Sequence, residues 1–355
     1  MVNNAYNQLK PVLDNYGINV RKITVETLKG KKAVWWVDTD KSKYILKKVP
    51  VSRDRLIFLL SAISHLRVNG VNIPAIRATR DNKLFMEHGG NIYILMEAVT
   101  CKAPSYTAAN ELSLIMQGMA SFHRASRHYT PPPEAKTRAH LGEWEKSYTK
   151  MISDLEKYKK LALLKKEKPF EQFYLANCDY FIKEGRVSLE NLKKGPYSDW
   201  VAKVRREKNL CHQDFAAGNL GLTKGKLYVF DIDSITFDLP ARDLRKILNK
   251  VMKKRGQWDV TMAIQMLKSY HQINRLSADE YSVLFTDLRF PHLFHGISSK
   301  YFENRAEDWS DDKYLSRLRE MAKVEKSKEV VLVKQDKIIQ SILPAAGPGV
   351  RRNTI

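Results

Sequence analysis

Cysteine is scarce in this sequence, and long apolar runs are missing. The 355 residues include three cysteines, Cys101, Cys178 and Cys211. Thiols so few and so widely spaced exclude a disulfide framework and a cysteine-rich zinc site, and they indicate a reducing compartment. No uninterrupted apolar stretch approaches the roughly 20 residues of a membrane-spanning helix. The first residues also lack the basic and apolar segments of a secretory signal, so we expect a soluble chain without a membrane span.

Negative charge is the second scarce property. Lys and Arg number 61 against 39 Asp and Glu, which gives a formal net charge of +22. Such an excess attracts anions, among them nucleotides, nucleic acid and acidic proteins, without choosing one class. No recognised motif interleaves the basic runs with stacking aromatics, so a nucleic-acid partner is not expected. With 43% hydrophobic residues, the chain can bury a core and is long enough for two lobes.

The first hundred residues have the pattern of a small antiparallel sheet with one helix. Residues 22–49 contain three β-branched and aromatic runs separated by turns with Gly or Asp, which is typical of hairpins. Ser52 can cap a helix that runs to about Val68 and stops at Gly70. Two more strands follow before Val99, so the predicted order is β-β-β-α-β-β.

After Pro104 the pattern changes to helices. Thr107 can cap the first of them, and helical periodicity continues to about Glu207. Residues 210–238 interrupt the helices with two short strands around a Lys-Gly turn, and helices resume from Asp243.

We therefore predict an α+β, protein kinase-like fold of two lobes. A small antiparallel N-lobe with one helix covers residues 1–99, and a larger, mainly helical C-lobe covers residues 100–326. The C-terminal extension, 327–355, ends in a Pro- and Gly-rich stretch and is expected to be partly disordered.

The strand-rich interruption places several aspartates and an asparagine close together in the sequence. The segment LCHQDFAAGNLGL contains Asp214 and Asn219, and LYVFDIDS adds Asp231 and Asp233. Mg²⁺ takes carboxylate and amide oxygens together with waters and phosphates. Lys47, at the end of the strand YILK, adds a cation for nucleotide phosphates. This set suits phosphoryl transfer, which needs positioning and charge compensation rather than covalent help from the protein.

Each acid also has a simpler interpretation. Asp214 and Asn219 can cap their own loop as Asx turns. Asp231 is expected within an apolar strand, where an unpaired carboxylate is costly and needs a metal or a basic partner; we favour the metal. Asp233 either supplies a second metal oxygen or caps the turn. His123 is interpreted as structural.

These residues resemble the kinase core of the aminoglycoside phosphotransferase and choline kinase-like families. The motif H-x-D-x-x-x-x-N, an apolar-D-x-D strand and D-L-P-A-R-D-L stand in the order in which those families carry them. The resemblance implies that Asp214 is the catalytic carboxylate, that Asn219 and Asp231 are metal ligands, and that Lys47 pairs with the phosphates of ATP. It also implies an adenine-contacting linker, formed by Met96, Glu97, Ala98 and Val99.

A narrower resemblance points to the bacterial spore coat. The stretches ISHLRVNGVNIP and LRFPHLFHGISSKYF, with the overall length, are similar to the CotS family of spore coat proteins over roughly residues 5–325. The resemblance implies synthesis in the cytoplasm and a final place in the spore coat. It further implies ATP and Mg²⁺ as cofactors, an unknown small-molecule hydroxyl acceptor, and other spore coat proteins as partners.

Several positions depart from the family pattern. Gln213 stands where relatives have Gly, and so does Cys101. The turn 28–32, expected to cover the phosphates, holds one Gly and three lysines. No Glu occurs between Lys47 and Pro74, so the helix partner of the nucleotide lysine is missing. Two functions stay open: an ATP- and Mg²⁺-dependent phosphotransferase acting on a small-molecule hydroxyl, or a catalytically weak or inactive kinase-fold structural protein of the coat.

Two further features have alternative interpretations. VFDIDSIT also resembles the nucleophile strand of haloacid dehalogenase-like phosphatases, but Ile235 stands where that chemistry places Thr or Val, and the residues downstream are helical. The helical insert from about 140 to 207 is expected to shape the acceptor pocket. Its aromatic side chains either line that pocket or fill the core, and they are Trp144, Tyr148, Tyr174 and Tyr180.

Overall fold

A computed structural model describes residues 2–29, 32–306 and 308–343. These residues form two units. The sheet unit comprises the described residues of 1–105, 129–138 and 217–235, and the helical unit comprises those of 106–128, 139–216 and 236–355.

The described residues form the following helices and strands. The helices are α1 (Val2–Leu13), α2 (Arg53–Val68), α3 (Ala109–Ala125), α4 (Trp144–Leu163), α5 (Pro169–Lys194), α6 (Tyr197–Glu207), α7 (Pro240–Arg255), α8 (Val260–His271), α9 (Ala278–Arg289), α10 (His292–Phe302), α11 (Asp311–Lys326), α12 (Glu329–Leu332) and α13 (Gln335–Ile342). The strands are β1 (Val20–Lys29), β2 (Lys32–Thr39), β3 (Lys43–Val49), β4 (Ile76–Arg77), β5 (Met86–His88), β6 (Asn91–Glu97), β7 (Leu210–Cys211), β8 (Leu220–Thr223), β9 (Lys226–Val229) and β10 (Thr236–Phe237).

The main sheet of the sheet unit is antiparallel in the order β1-β2-β3-β6-β4, and β5 also pairs with β6. Side chains alternate between its two faces, as the period of two in a strand requires. One face carries Ala33, Trp35 and Val37 of β2 and packs against Leu9 and Val12 of α1 in a buried apolar cluster. The sequence pattern did not predict α1.

The predicted helix after β3 is present, with one correction at its cap. α2 spans the predicted residues, and Ser52 occupies the N-cap position. Its main-chain oxygen accepts the Leu56 N–H at 2.9 Å, whereas its side chain makes no capping hydrogen bond. The predicted cap at Thr107 is wrong, because α3 begins at Ala109 with Ala108 in the cap position.

The helical unit is built largely from packed helix pairs, with short strands at the loop that contains Asp214. β7 pairs with β10 on either side of that region. Three of the four aromatic residues of the helical insert fill the core, since Trp144, Tyr148 and Tyr174 are at most 2% exposed. Tyr180 is exposed. Of the helices described, none has the length and apolarity to cross a membrane.

The C-terminal part of the chain continues as two short helices. α12 and α13 extend through residue 342 and bury Val331, Leu332, Ile338 and Ile339. The Pro- and Gly-rich end, predicted to be disordered, lies from residue 344 onward outside the described residues. The lobe boundaries predicted from the sequence stay a prediction.

Candidate functional site

A cavity of about 390 Å³ lies within the sheet unit. One side of the cavity is the face of the sheet opposite α1, because every second side chain of the strands points into the cavity. Its walls are mostly apolar, and they include Val34, Ile45, Val49, Leu56, Leu59, Leu60, Ile63, Ile73, Ile94, Met96, Val99 and Val229. A few polar groups enter it, and these are Glu26, Lys47, Glu97, Cys101, Asp231 and Asp233. An apolar cavity of this size with few polar groups is typical of a small-molecule site.

Most of the predicted site residues of the sheet unit line this cavity. Lys47 reaches it from β3, where its neighbours across the strands are Val34 and Ile94. Met96, Glu97 and Val99 of the predicted linker line it, as do Asp231 and Asp233. Ala98 and Asn219 are not among the lining residues.

The linker holds its position through the main chain. The Glu97 N–H donates to the Ala75 oxygen at 2.8 Å, and the Ala98 N–H donates to the Lys43 oxygen at 3.0 Å. Throughout the described ranges, no hydrogen bond from the Val99 N–H is present. Ala98 therefore anchors the linker, and Val99 keeps a main-chain donor at the cavity.

Asp231 does not lie in a strand, which corrects the sequence prediction. β9 ends at Val229, and Asp231 has φ of +49° and ψ of +57°. This left-handed conformation is uncommon for a residue other than glycine, and it takes the chain out of the ladder into a short 3₁₀ turn, Ile232–Ser234. The residue is exposed. The predicted strand position of Asp231 is therefore wrong, although neighbouring groups still shield its carboxylate partly from water.

The carboxylates of Asp231 and Asp233 lie close enough to hydrogen-bond to each other. Burial of its carboxylate and the negative charge of Asp233 raise the pKa of Asp231, although Lys47 and Lys32 oppose the shift. The Lys32 ammonium lies 3.0 Å from an Asp233 carboxylate oxygen. Even with these cations, Asp231 holds its proton more tightly than an isolated aspartate does. Such a pair fits a divalent ion, which would replace that proton.

Asn219 stands beside this pair through the β8–β9 hairpin. Its main-chain oxygen accepts the Phe230 N–H at 2.9 Å, so it lies across from the residue that precedes Asp231. The hairpin forms around the predicted turn at Lys224 and Gly225, both with positive φ. The structure thus places the main chain of Asn219 beside Phe230, the chain neighbour of Asp231.

The helix α2 contributes a cation, Arg55, to the acidic turn. The Arg55 guanidinium donates to the main-chain oxygens of Ile235 at 2.6 Å and of Asp233 at 3.3 Å. Burial and the charge of Arg138 lower the pKa of Arg55. α2 is therefore tied to the acidic turn by hydrogen bonds to its backbone. Sequence reasoning missed this contact, because nothing in the local pattern marks Arg55.

Cys101 fits the structure because a glycine faces it. A Cβ placed on Gly221 would lie 2.3 Å from the Cys101 sulfur and 2.6 Å from the Phe230 ring. The strand-like pairing of Lys102 with Leu222 holds the two segments together. The family position where relatives have Gly is thus occupied by Cys101, with Gly221 leaving the space that its side chain needs.

We expect Gly221→Ala to lower the free energy of unfolding by about 1–3 kcal/mol, because the new methyl group overpacks a filled site. Urea unfolding monitored by tryptophan fluorescence measures the change. Gly218→Ala is the matched control, since nothing lies within 4 Å of its added Cβ. A Gly221→Ala variant as stable as the Gly218→Ala variant would contradict this packing.

In the helical unit, a buried carboxylate organises the loop that bears Asp214. Asp243, in the first turn of α7, accepts the N–H groups of His212 at 2.6 Å and Gln213 at 2.8 Å. It also bonds the His123 ring at 3.1 Å. Burial alone would raise the pKa of Asp243. The hydrogen bond to the His123 ring and the electrostatic interaction with it outweigh burial and hold the pKa of Asp243 at about 2. His123 therefore has the structural role expected from the sequence.

Gln213 has φ of +70°, which explains why a glycine suits this position. Hydrogen bonds to both its main chain and its side chain stabilise this conformation. The Lys246 ammonium donates to the Gln213 main-chain oxygen at 2.6 Å and to its side-chain oxygen at 2.9 Å. Gln213 thus adopts the left-handed conformation that glycine takes most readily.

Asp214 is paired with a lysine. The Lys250 ammonium lies 2.5 Å from an Asp214 carboxylate oxygen, and the two side chains are 36% and 51% exposed. The sequence pattern did not predict this pair, whose members are 36 residues apart. An exposed ion pair contributes only about 0–1 kcal/mol, so Asp214 can exchange this partner for another.

A second cluster in the helical unit has metal-ligand chemistry but serves packing. Ligand atoms of His123, Cys211 and Asp243 lie within 4.8 Å of one another, all buried. The Cys211 thiol donates to the main-chain oxygens of Leu239 at 3.2 Å and Asp238 at 3.3 Å. Burial raises the pKa of that thiol well above its ordinary value. These contacts pack α3, β7 and the start of α7 against one another.

Comparison with known proteins identifies the family of this chain. Residues 10–335 match the family described as "Spore coat putative kinase YutH". The chain is 32% identical over 331 residues to spore coat protein S of Bacillus subtilis (strain 168), covering 93% of this chain and 94% of that protein. The predicted resemblance to spore coat proteins is confirmed.

Solved structures show the fold. The chain is similar to an aminoglycoside phosphotransferase from Alicyclobacillus acidocaldarius, with a TM-score of 0.80 and 18% identity over 93% of this chain and 96% of that one. It is also similar to amicoumacin kinase hAmiN, solved with AMP-PNP, Ca²⁺ and Ami, with a TM-score of 0.61 and 15% identity over 90% and 94%. The predicted α+β, kinase-like fold, with a small antiparallel sheet lobe and a larger helical lobe, is confirmed.

Proposed function

This chain belongs to the YutH family of spore coat kinase-like proteins, and from that premise we propose that it is an ATP- and Mg²⁺-dependent phosphotransferase of the spore coat. The acceptor is the hydroxyl group of a small molecule. The observation that carries the proposal is the cavity of the sheet unit, which joins an apolar slot, Lys47 and a pair of mutually repelling carboxylates, Asp231 and Asp233.

The apolar slot suits an adenine ring. Its walls offer branched and sulfur-containing side chains to both faces of a flat base, a favourable burial of apolar surface. The linker adds polarity at its edge, since the Val99 N–H is a donor and the Glu97 main-chain oxygen is an acceptor. Adenine carries the complementary acceptor and donor on its own edge. Met96, Glu97, Ala98 and Val99 are therefore proposed as the linker that positions the base.

The charged end of the cavity suits phosphates. Lys47 and Lys32 supply cations, and Asp231, Asp233 and Asn219 supply the oxygen ligands that would hold Mg²⁺. When bound, this ion would compensate the charge of the phosphates. Lys32 forms an ion pair with Asp233. Once the Asp233 carboxylate binds a metal, the Lys32 ammonium can pair with a phosphate instead. Amicoumacin kinase hAmiN, which is similar in fold, was solved with AMP-PNP and Ca²⁺, and this supports the proposal that the present chain binds a metal nucleotide.

Asp214 is proposed to orient the acceptor hydroxyl and to accept its proton. It stands five residues before Asn219 in the chain, and Asp243 fixes the backbone of its loop. The exposed carboxylate is within reach of a ligand on the surface of the helical unit. Its pairing with Lys250 means that the lysine has to move before the carboxylate can act as a base.

Asp231→Asn tests the metal site by isothermal titration. We expect the variant to bind Mg-ATP at least about tenfold more weakly, because an amide is a poorer Mg²⁺ ligand than a carboxylate. Metal-free ATP should bind as well as before or better, since a negative charge has been removed. The Mg²⁺ dependence of ATP affinity therefore shrinks.

Asp40→Asn is the matched control, because it removes an exposed carboxylate of the same unit that does not line the cavity. It should leave both affinities unchanged. Mg-ATP affinity that is equal in Asp231→Asn and in the unmodified protein would contradict the metal assignment.

A second function has its own support. The helix glutamate that orients the nucleotide lysine is missing, and α2 offers Arg55 to the acidic turn instead. These features favour a kinase-fold component of the coat that binds a metal nucleotide and transfers phosphate slowly or not at all. Radiolabelled ATP with a panel of hydroxyl acceptors separates the two. Binding of Mg-ATP without any labelled product would favour the structural role.

A further inference from the structure

Successive turns of the helix α7 contact successive residues of the loop that bears Asp214. Asp243 binds the N–H groups of His212 and Gln213. One turn later, the Lys246 ammonium binds the Gln213 main-chain oxygen. Another turn later, the Lys250 ammonium binds the carboxylate of Asp214. Positions 243, 246 and 250 lie on one face of the helix, because residues three and four apart are neighbours there.

The cations continue along α7 beyond Asp214. Lys253 and Lys254 occupy the next turn and are exposed, and the Lys254 ammonium lies 6.0 Å from the centre of the Tyr106 ring. We call Lys246, Lys250, Lys253 and Lys254 the lysine row. The Lys246 ammonium is engaged by the loop through its hydrogen bonds to Gln213, and burial, partly offset by Asp243, lowers its pKa to about 8. Lys250 pairs with Asp214, and Lys253 and Lys254 are exposed to solvent.

We propose that the acceptor bound beside Asp214 is a small hydroxylated anion, an alcohol that carries a carboxylate or a phosphate ester, and that Lys250 binds its anionic group. This inference rests on the proposed function, because it assigns a substrate class to the same site.

Charge explains the preference. An acceptor with an amine would bring a second cation next to Lys250, and like charges in contact are strongly unfavourable. An acceptor with an anion gives Lys250 a new partner. The Asp214–Lys250 pair is half exposed and contributes little by itself, so the exchange is inexpensive. When Lys250 moves to the anion, its ion pair with Asp214 breaks, and the carboxylate loses a cation that competes with the acceptor proton.

The transfer step is a substitution at phosphorus. The acceptor hydroxyl oxygen forms a bond to the γ-phosphorus of ATP, and the bond from that phosphorus to the bridging oxygen of the β-phosphate breaks. ADP leaves with the bridging oxygen and its electron pair. The hydroxyl proton passes to the Asp214 carboxylate and then to solvent.

Matched acceptors test the substrate class. Lactate and 1-amino-2-propanol share the secondary hydroxyl and differ in a carboxylate against an aminomethyl group; glucuronate and glucosamine provide the same contrast on a sugar, with glucose as the neutral reference. Transfer is followed with γ-labelled ATP. Acceptor binding is measured separately by ligand-observed NMR in the presence of Mg²⁺ and AMP-PNP, so that a slow enzyme still gives a result. We expect each anion to exceed its amine partner at least about tenfold in either readout.

Charge reversal at Lys250 ties the preference to this residue. In Lys250→Glu the ratio of anion to amine should fall at least about tenfold, and Lys250→Gln should lie between. Lys268→Glu is the control, since it reverses an exposed lysine on α8 with the same change of net charge, and it should keep the original ratio. Thermal unfolding of each variant confirms that it is folded.

The outcomes separate this inference from the proposed function. If Mg-ATP binds, anions are preferred and Lys250→Glu abolishes the preference, both stand. If Mg-ATP binds but amines or neutral acceptors are preferred, or the ratio is the same in Lys250→Glu, the substrate class is wrong while nucleotide binding stands. If isothermal titration detects no Mg-ATP binding, both are overturned.

Discussion

Asp214→Asn is expected to reduce phosphate transfer by about 10²–10⁴-fold, the usual effect of removing a general base. The amide keeps the size of the side chain but cannot accept the hydroxyl proton. Mg-ATP affinity should change little, because the proposed oxygen ligands and Lys47 are untouched. Initial rates with γ-labelled ATP and isothermal titration on the same preparation measure the two effects.

The control for this variant is Asp179→Asn. Asp179 forms a similar exposed ion pair in the helical unit, with the Lys159 ammonium 2.7 Å away. It is remote in sequence from the Asp214 loop, so its loss should leave transfer unchanged. An Asp214→Asn protein that transfers phosphate at the unmodified rate would remove Asp214 from the mechanism, whatever the nucleotide affinity.

Asp243→Ala is expected to lower the free energy of unfolding by about 3–5 kcal/mol. The carboxylate is 1% exposed and binds two main-chain N–H groups and the His123 ring. Its removal leaves buried donors without an acceptor, and losing one member of a buried charged network has an effect of this size. Urea unfolding followed by circular dichroism measures it.

The same carboxylate predicts a dependence on pH. The folded protein holds the Asp243 pKa at about 2, below the roughly 3.9 of an aspartate in an unfolded chain. Its contribution to stability is therefore complete above about pH 4 and is lost as the pH falls from about 4 to about 2. Asp243→Ala should lose this part of the acid dependence.

Asp279→Ala is the control for Asp243→Ala, because Asp279 also lies in the first turn of a helix, α9, but is exposed. Both variants remove a favourable interaction with the helix dipole, of about 0.3–1 kcal/mol. The excess loss in Asp243→Ala then reports the loop contacts. Equal losses in the two variants would show that Asp243 acts only through the helix dipole.

Local patterns were sufficient for much of the fold. Runs of β-branched and aromatic residues between turns predicted β1 to β3, and a helical stripe predicted α2. The turn at Lys224 and Gly225 predicted the β8–β9 hairpin. These features depend on residues near one another in the chain, where spacing and turn chemistry carry the information.

Features that depend on distant residues escaped the sequence. α1 covers one face of the sheet through contacts made in three dimensions, and Pro11 within it obscures a helical signal. The left-handed backbone of Asp231 turned a predicted strand into a turn. The hairpin groups with the sheet unit, where the Val229 N–H donates to the Asn72 oxygen at 2.9 Å, and periodicity carries no information on such a contact.

The sequence named most residues of the candidate site, but it missed two cations that contact its acidic residues. Lys47, the linker and the aspartates were named from motif and resemblance, and most of those in the sheet unit line one cavity. Arg55 and Lys250 were not named, since each reaches the acidic residues from a helix far along the chain. Such cations become visible only when the helices are placed.

Of the three thiols, Cys101 is exposed while Cys178 and Cys211 are buried. A maleimide fluorophore would therefore attach to the unmodified protein at one place, on the rim of the cavity, with no need to engineer the other cysteines away. Burial raises the pKa of the Cys101 thiol, so alkylation will be slow at neutral pH and slower still when a molecule fills the slot. The native chain thus contains its own reporter for screening compounds by protection from labelling.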